Sequence, residues 1–328
     1  MRWIWSFSIP AAVLLGYWLT HLDSENAAFW LRIGVIYAFV LHPIADTFLP
    51  LLKPGLPKPS RFGSFLADLL IRLTFPVQAF VLLAALLMTR ELDPSRWNLW
   101  IALTISCGIS AGALGITAAH ELIHRGSRFD RGLGVGLLVM CWFGHYRVEH
   151  VFVHHKWVGT PLDTATAYEG ESVYRFWWRS LTTGWFAAWR LERVRGWNNR
   201  VLQTLLMQVG LACAIAWEFG AAGLGVFFGQ SVFAWLLLST VNYIEHYGLF
   251  RREISPGKWE PFGAQHSWES RHLLTHASLF NLGLHTHHHL QAQLPYQELR
   301  PIEGTPQLPW GYSRSFLAAL VPAIWFRK

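Results

Sequence analysis

The stretch Leu99–Arg125, LWIALTISCGISAGALGITAAHELIHR, carries the reading of the whole chain. No charged residue occurs between Leu99 and Ala119, and about 20 mostly apolar residues suffice to cross a bilayer. The run ends on His120-Glu121-Leu122-Ile123-His124. Residues four apart on a helix share a face, so this span delivers two imidazoles to one point at one membrane surface.

Three apolar runs precede this one, near Trp3–Leu19, Phe29–Leu49 and Leu66–Met88, and two follow, near Val201–Trp217 and Leu224–Tyr243. Gln203, Thr204 and Gln208 make the fifth the least apolar, and Glu218-Phe219-Gly220-Ala221-Ala222-Gly223 reads as a tight glycine-rich turn between the last two. The first run lacks a small-residue cleavage site and leads into further spans, which marks an uncleaved first helix rather than a secretory signal. Composition agrees. Apolar residues make up 52%, charged residues only 14%, and mean hydropathy is +0.26, where a soluble domain carries about 25% charged residues. The 19 Trp residues suit the headgroup level.

The net charge of +7 lies in loops between apolar runs, which fits the positive-inside bias and not a nucleic-acid-binding face. Connections around Asp23 and Glu25, Arg90 to Arg96 and Glu218 are acidic or near neutral; the one holding Lys53, Lys58 and Arg61, the segment Arg125 to Arg200 and the tail from Arg251 are basic. The expectation is an all-α integral membrane protein, six transmembrane helices with a cytoplasmic histidine-rich cap, forming a single domain over residues 1–328. Both termini and the active site would face the cytoplasm across the inner membrane. Ser172–Arg200, where aromatic residues alternate with Arg175, Arg179, Arg190, Arg193 and Arg195, predicts helices in the interface plane. Ser315–Phe326 is too short to span and is expected at the surface. Cys107, Cys141 and Cys213 form no Cys-x-x-Cys pair and read as core residues, leaving no thiolate metal site and no built-in rubredoxin.

Of 16 His residues, nine fall into a pattern. His120 and His124 end the fourth span; His150, His154 and His155 lie in EHVFVHH; His285, His288 and His289 lie in HTHHH; His246 lies in NYIEHYGL, just past the last span. Imidazole suits iron, zinc and copper, and charge places all four groups on the same side. His120–His124 also matches the H-E-x-x-H zinc protease pattern, with Glu121 as base. A catalytic zinc takes three protein ligands, so a protease explains one group and leaves three without a role. Nine candidate ligands suit two metals. Glu121, Glu149 and Glu245 adjoin these histidines and Asp163 follows closely, so each is a candidate partner for a ring N–H. The sequence assigns none of them a catalytic role.

On these residues the chain resembles the membrane alkane 1-monooxygenases, relatives of the membrane fatty-acid desaturases. The resemblance rests on HELIHR (His120–Arg125), EHVFVHHKWVGTPLDTA (Glu149–Ala165), NYIEHYGL (Asn242–Leu249) and HTHHH (His285–His289). It implies a six-helix membrane fold and a diiron centre of two non-haem iron ions that uses O2 to hydroxylate the terminal carbon of an alkyl chain. Its implied ligands are His120, His124, His150, His154, His155, His246, His285, His288 and His289. It further implies electrons from a rubredoxin or ferredoxin with its NAD(P)H reductase, and an apolar substrate drawn from the bilayer. A fatty-acid desaturase or a xylene-type side-chain hydroxylase on the same scaffold is the alternative, with an intramembrane zinc protease more distant. Two departures stand out: His287 occupies a position where the family usually carries Asp, and HSWESRH (His266–His272) has Glu and Arg where Asn is usual. Trp30 and Tyr37 on the second span are bulky residues that either pack or limit chain length.

Overall fold

The computed structural model describes residues 2–52 and 59–327; Lys53 and Lys58 of the first basic connection lie outside them. Helices dominate. Four long ones come first: α1 (Arg2–Leu22), α2 (Ala27–Phe48), α3 (Arg61–Met88) and α4 (Trp97–His124). After α5 (Arg128–Met140), α6 (146–157) and α7 (Val173–Glu192) comes the long element α8 (Arg200–His246). Four short helices follow among the described residues: α9 (Leu273–Ser278), α10 (His285–Leu290), α11 (Gly311–Ala319) and α12 (Pro322–Trp325). The one sheet among the described residues is a hairpin of Glu253–Ser255 with Lys258–Trp259.

Among the described residues, five helices are long and apolar enough to cross a membrane. The fifth, α8, contains both of the last two runs. Gly220 interrupts it at φ 64° and ψ −158°, a conformation essentially confined to glycine. A Cβ on Gly223 would meet the Ile215 side chain at 3.2 Å, although eight residues of continuous helix span about 12 Å. The chain therefore doubles back at Gly220, where the glycine-rich turn was expected.

The bundle is apolar outside and partly polar inside, the reverse of a water-soluble helix. On α3 the outward face carries Phe65, Leu69, Leu73, Phe80, Leu83 and Leu87, while Thr74 and Gln78 are buried. Ser110 of α4 donates to Gln78 Oε1 at 2.7 Å, so the buried polar groups pair between helices. Lipid-facing surface explains both observations. The innermost helix is α4, with 72% of its apolar window buried against 28% to 44% for the other four.

Close packing at α4 depends on Gly108 and Gly112, spaced four apart. A Cβ at Gly108 would stand 2.8 Å from Phe233 Cβ and 2.9 Å from the Gln230 carbonyl oxygen; at Gly112 it would stand 2.7 Å from Leu237 Cδ1. Small residues at this spacing let two membrane helices approach backbone to backbone. Gly108→Leu should therefore lower stability by about 1–3 kcal/mol through overpacking, seen as a reduced Tm in detergent. Gly126→Ala, with nothing within 4 Å of the added carbon, should leave Tm unchanged.

Two expectations change. Ser315–Phe326 is not simply a surface segment: Trp325 is fully buried and packs with Tyr243 and Phe176. Cys107 and Cys141 are core residues, but Cys213 is exposed, on the outward face of the first half of α8. Helix α7 is amphipathic as expected, burying Val173, Phe176 and Ala188 and exposing Tyr174, Trp178 and Phe186.

Candidate metal centre

The C-terminal end of α4 is held by charge. Arg125 donates to Glu121 at 3.0 Å and to Asp68 of α3 at 2.7 Å, and Arg72 of α3 donates to Asp130 of α5 at 2.8 Å. This network fixes His120 and His124 against the neighbouring helices.

The middle group owes its geometry to a π-helical turn at His150–His154. Such a turn adds a residue, so side chains five apart come into line instead of four apart. His150 and His155 accordingly face each other, Nε2 to Nε2, at 3.0 Å, while His154 is directed elsewhere. His246 ends α8. On α10, His289 Nε2 lies 3.0 Å from His285 Nε2, and His288 Nε2 lies 3.0 Å from His155 Nε2.

The nine histidines singled out in the sequence divide without remainder into two adjoining groups. One comprises His120, His124, His150, His155 and His288; the other comprises His154, His246, His285 and His289. Within each, one ring nitrogen per residue lies within 4.8 Å of all the others. The spacing argument holds for His120 with His124 and for His285 with His289. It fails for His150 with His154, because of the π-turn. It fails also for His285 with His288, since α10 lies between the groups and sends one residue to each.

The donor chemistry fits cations. His285 Nε2 faces both His246 Nε2, at 3.1 Å, and His289 Nε2; His155 Nε2 faces both His150 and His288. One shared proton satisfies only one such contact, whereas a cation accepts every lone pair. His120, His124 and His154 each have a buried Nε2 with no hydrogen-bond partner. Burial, reinforced by neighbouring imidazoles, holds His150, His155, His285, His288 and His289 well below the usual histidine range, which keeps these lone pairs free of protons.

The four carboxylates separate into different roles. Asp163 accepts from His154 Nδ1 at 3.0 and 3.1 Å and from the Thr166 hydroxyl at 2.6 Å. Burial works against the charged forms of both residues, but their mutual attraction outweighs it, raising the His154 pKa and lowering that of Asp163. Glu245 Oε2 lies 3.4 Å from His285 Nε2, and its Oε1 accepts from Tyr312 at 3.0 Å. Glu149 takes the Thr164 hydroxyl, and burial pushes its carboxyl up to about 7. Glu121 is occupied by Arg125 and by the Tyr296 backbone N–H, so it is not placed as the base of a zinc protease. His287 stands outside both groups and accepts from the Arg300 backbone N–H at 2.8 Å. In the HSWESRH stretch, the Ser267 hydroxyl and the Trp268 backbone N–H both donate to the Glu245 carbonyl, strapping the end of α8. Glu269 is fully buried, which pushes its carboxyl up to about 7. Tyr312 and Thr166 reach the site from outside the quoted motifs, whereas Thr164 lies within EHVFVHHKWVGTPLDTA.

An apolar cavity, about 740 Å³ when the space at its open mouth is counted, lies beside the cluster, lined by α1, α2, α4, the second half of α8 and α11. It shares Thr117, Leu279 and Leu282 with a narrower space of about 240 Å³ that ends on His120 and His288. Neither Trp30, which donates to Asp23, nor Tyr37 lines the larger cavity; Ala38 and Phe39 do.

Comparison with known proteins gives a consistent result. Residues 94–315 match the fatty acid desaturase family model. The chain is 35% identical to alkane 1-monooxygenase 1 of Pseudomonas aeruginosa, over 98% of this chain and 87% of the relative. It is 33% identical to alkane 1-monooxygenase 1 of Alcanivorax borkumensis, over 99% and 82%. Against the hydroxylase component of a xylene/toluene monooxygenase of Pseudomonas putida the identity is 27%, over 66% and 59%.

Proposed function

Because this chain belongs to the alkane hydroxylase family within the fatty acid desaturases, and is thus a membrane oxidoreductase, we propose that it hydroxylates the terminal carbon of alkanes or related alkyl chains. The observation that carries this reading is the apolar cavity that narrows onto His120 and His288. The lining of this chamber offers an alkyl chain little besides dispersion contacts. The narrow end admits a chain terminus more readily than a mid-chain methylene, because a mid-chain carbon would have to enter folded double.

His120, His124, His150, His155 and His288 would hold one iron ion, and His154, His246, His285 and His289 a second. Iron supplies the redox chemistry with O2 that attacks an unactivated C–H bond, which zinc cannot. Overall, R–CH3, O2, two electrons and two protons give R–CH2OH and water. Rubredoxin or ferredoxin with its NAD(P)H reductase would supply the electrons. The protein's own residues perform the positioning. Thr117, Leu279 and Leu282 hold the chain end at the narrow passage and limit water there. Asp163 keeps the His154 proton on Nδ1, leaving Nε2 directed into the second group. With α8 doubling back, six membrane crossings would put both termini on one side, and the basic connections favour the cytoplasmic side of the inner membrane.

Feeding octane, dodecane, a xylene and a fatty acid to cells that express the protein tests the reaction. A primary alcohol from an alkane is the expected product. An alkene or unsaturated lipid with no alcohol would overturn hydroxylation, and alcohol from the xylene alone would move the substrate class to aromatic side chains.

A further inference from the structure

One histidine outside the two metal groups, His42, stands in the wall of the apolar chamber. It belongs to the membrane-spanning helix α2 and is only 6% exposed. A polar side chain buried among apolar ones costs free energy unless it is bonded. His42 bonds through one nitrogen: Nε2 meets the Ser278 hydroxyl at 3.0 Å. The Tyr37 ring lies edge-on to it, with centroids 6.3 Å apart and planes at 78°, so the imidazole is held from two sides. Its other nitrogen, Nδ1, has no hydrogen bond among the described residues. Asp46, one turn further along α2, is engaged elsewhere. Its carboxylate accepts from the Leu274 and Thr275 backbone N–H groups at 2.9 and 3.2 Å and from the Thr275 hydroxyl.

The remaining polar side chains of the chamber wall also have partners. Thr117 donates to the Gly112 carbonyl at 3.3 Å, the Ser313 hydroxyl meets that of Thr275 at 3.2 Å, and Tyr312 donates to Glu245. That leaves Nδ1 of His42 as the unengaged polar atom among these side chains. Its anchor, Ser278, immediately precedes Leu279, which lines both the chamber and the narrower space ending on His120 and His288.

We propose that His42 is a specificity-determining residue that binds an uncharged oxygen on the substrate, so that the chamber prefers oxygen-bearing alkyl chains, such as esters and alcohols, to plain hydrocarbons of the same length. This deepens the hydroxylase reading and rests on it for the reaction. A neutral imidazole presents Nδ1 as a donor in one tautomer and as an acceptor in the other, so it can serve a carbonyl or a hydroxyl. It cannot offset the desolvation of a carboxylate, and no Lys or Arg among the described residues lines the chamber. An alkane leaves Nδ1 buried and unbonded, whereas a chain with an oxygen at that point completes the bond. The difference favours the oxygen-bearing chain.

The first experiment measures hydroxylation of methyl octanoate, decane (the ester's equal in chain length) and octanoate by the unaltered enzyme and by His42→Leu, each with its iron content determined. The unaltered enzyme should favour the ester over decane and take octanoate least. His42→Leu should lower the ester-to-decane ratio of kcat/KM by about tenfold or more, the scale of one lost buried hydrogen bond. An unchanged ratio in iron-replete His42→Leu would overturn the proposal, and octanoate turned over as well as the ester would overturn its restriction to uncharged groups. The second experiment needs neither turnover nor a variant: the structure of the unaltered protein is determined with methyl octanoate bound. The ester carbonyl oxygen should lie within about 3.2 Å of His42 Nδ1. A carbonyl placed elsewhere, or a water on Nδ1 with the ester present, would count against the site. Failure to hydroxylate any chain, with the carbonyl still found at His42, would instead overturn the hydroxylase reading and leave the binding site standing.

Discussion

On the proposed diiron reading, His246→Ala should purify with about one iron ion per chain where the unaltered protein should carry two, and its hydroxylation should fall to background. His246 belongs to the group of four, and its Nε2 stands 3.1 Å from His285 Nε2 in a wholly buried setting. Its removal leaves three imidazoles and a void that no flexible side chain fills. His124→Ala is the informative contrast. It comes from the group of five, so four imidazoles remain, the number the second group has when intact. His124→Ala should lose activity yet keep more iron than His246→Ala. His287→Ala and His21→Ala should keep both ions, since His287 is engaged with the Arg300 backbone and His21 with exposed Glu91. Iron analysis of the four purified proteins checks the order. Equal iron in His246→Ala and His287→Ala would mean the two groups are wrongly drawn.

Asp163→Asn should weaken iron affinity by about 10- to 100-fold, the usual effect of losing a carboxylate behind a ligating histidine. The change keeps shape and size, so the fold should survive. In the native arrangement both carboxylate oxygens face His154 Nδ1, which must donate, so the Nε2 lone pair points into the second group. An amide can present its NH2 to Nδ1 instead, drawing the lone pair there and moving the proton to Nε2. That proton would then point where a cation is held. Competition against a chelator measures the affinity, and Thr166→Val, which removes the hydroxyl that donates to Asp163 and accepts from the Gly159 backbone N–H, should have a smaller effect. Undiminished affinity in Asp163→Asn would show that this contact merely anchors the loop.

The apolar helices were legible in the chain because lipid acts on composition. A run without charges from Leu99 to Ala119 needs no partner to identify it, and Gly220 announced the reversal in α8 because few other residues tolerate its backbone. The nine histidines were also legible, since clusters at short spacing are improbable in apolar surroundings. Their grouping was not. Assigning His150 and His155 to one group and His154 to the other required the π-turn, and the division of His285 from His288 required knowing where α10 lies.

What the sequence by itself determined is thus a helical membrane protein with nine histidines near one end of its spans, because charge and apolarity act residue by residue. Only the tertiary structure decided which imidazoles converge, and that Asp163 and Tyr312 stand behind them while Glu121 turns to Arg125. The physical reason is common to both. Each depends on contacts between segments far apart in the chain, such as residues 155 and 288 or 245 and 312. Close packing sets such contacts, and spacing along one helix carries no trace of them.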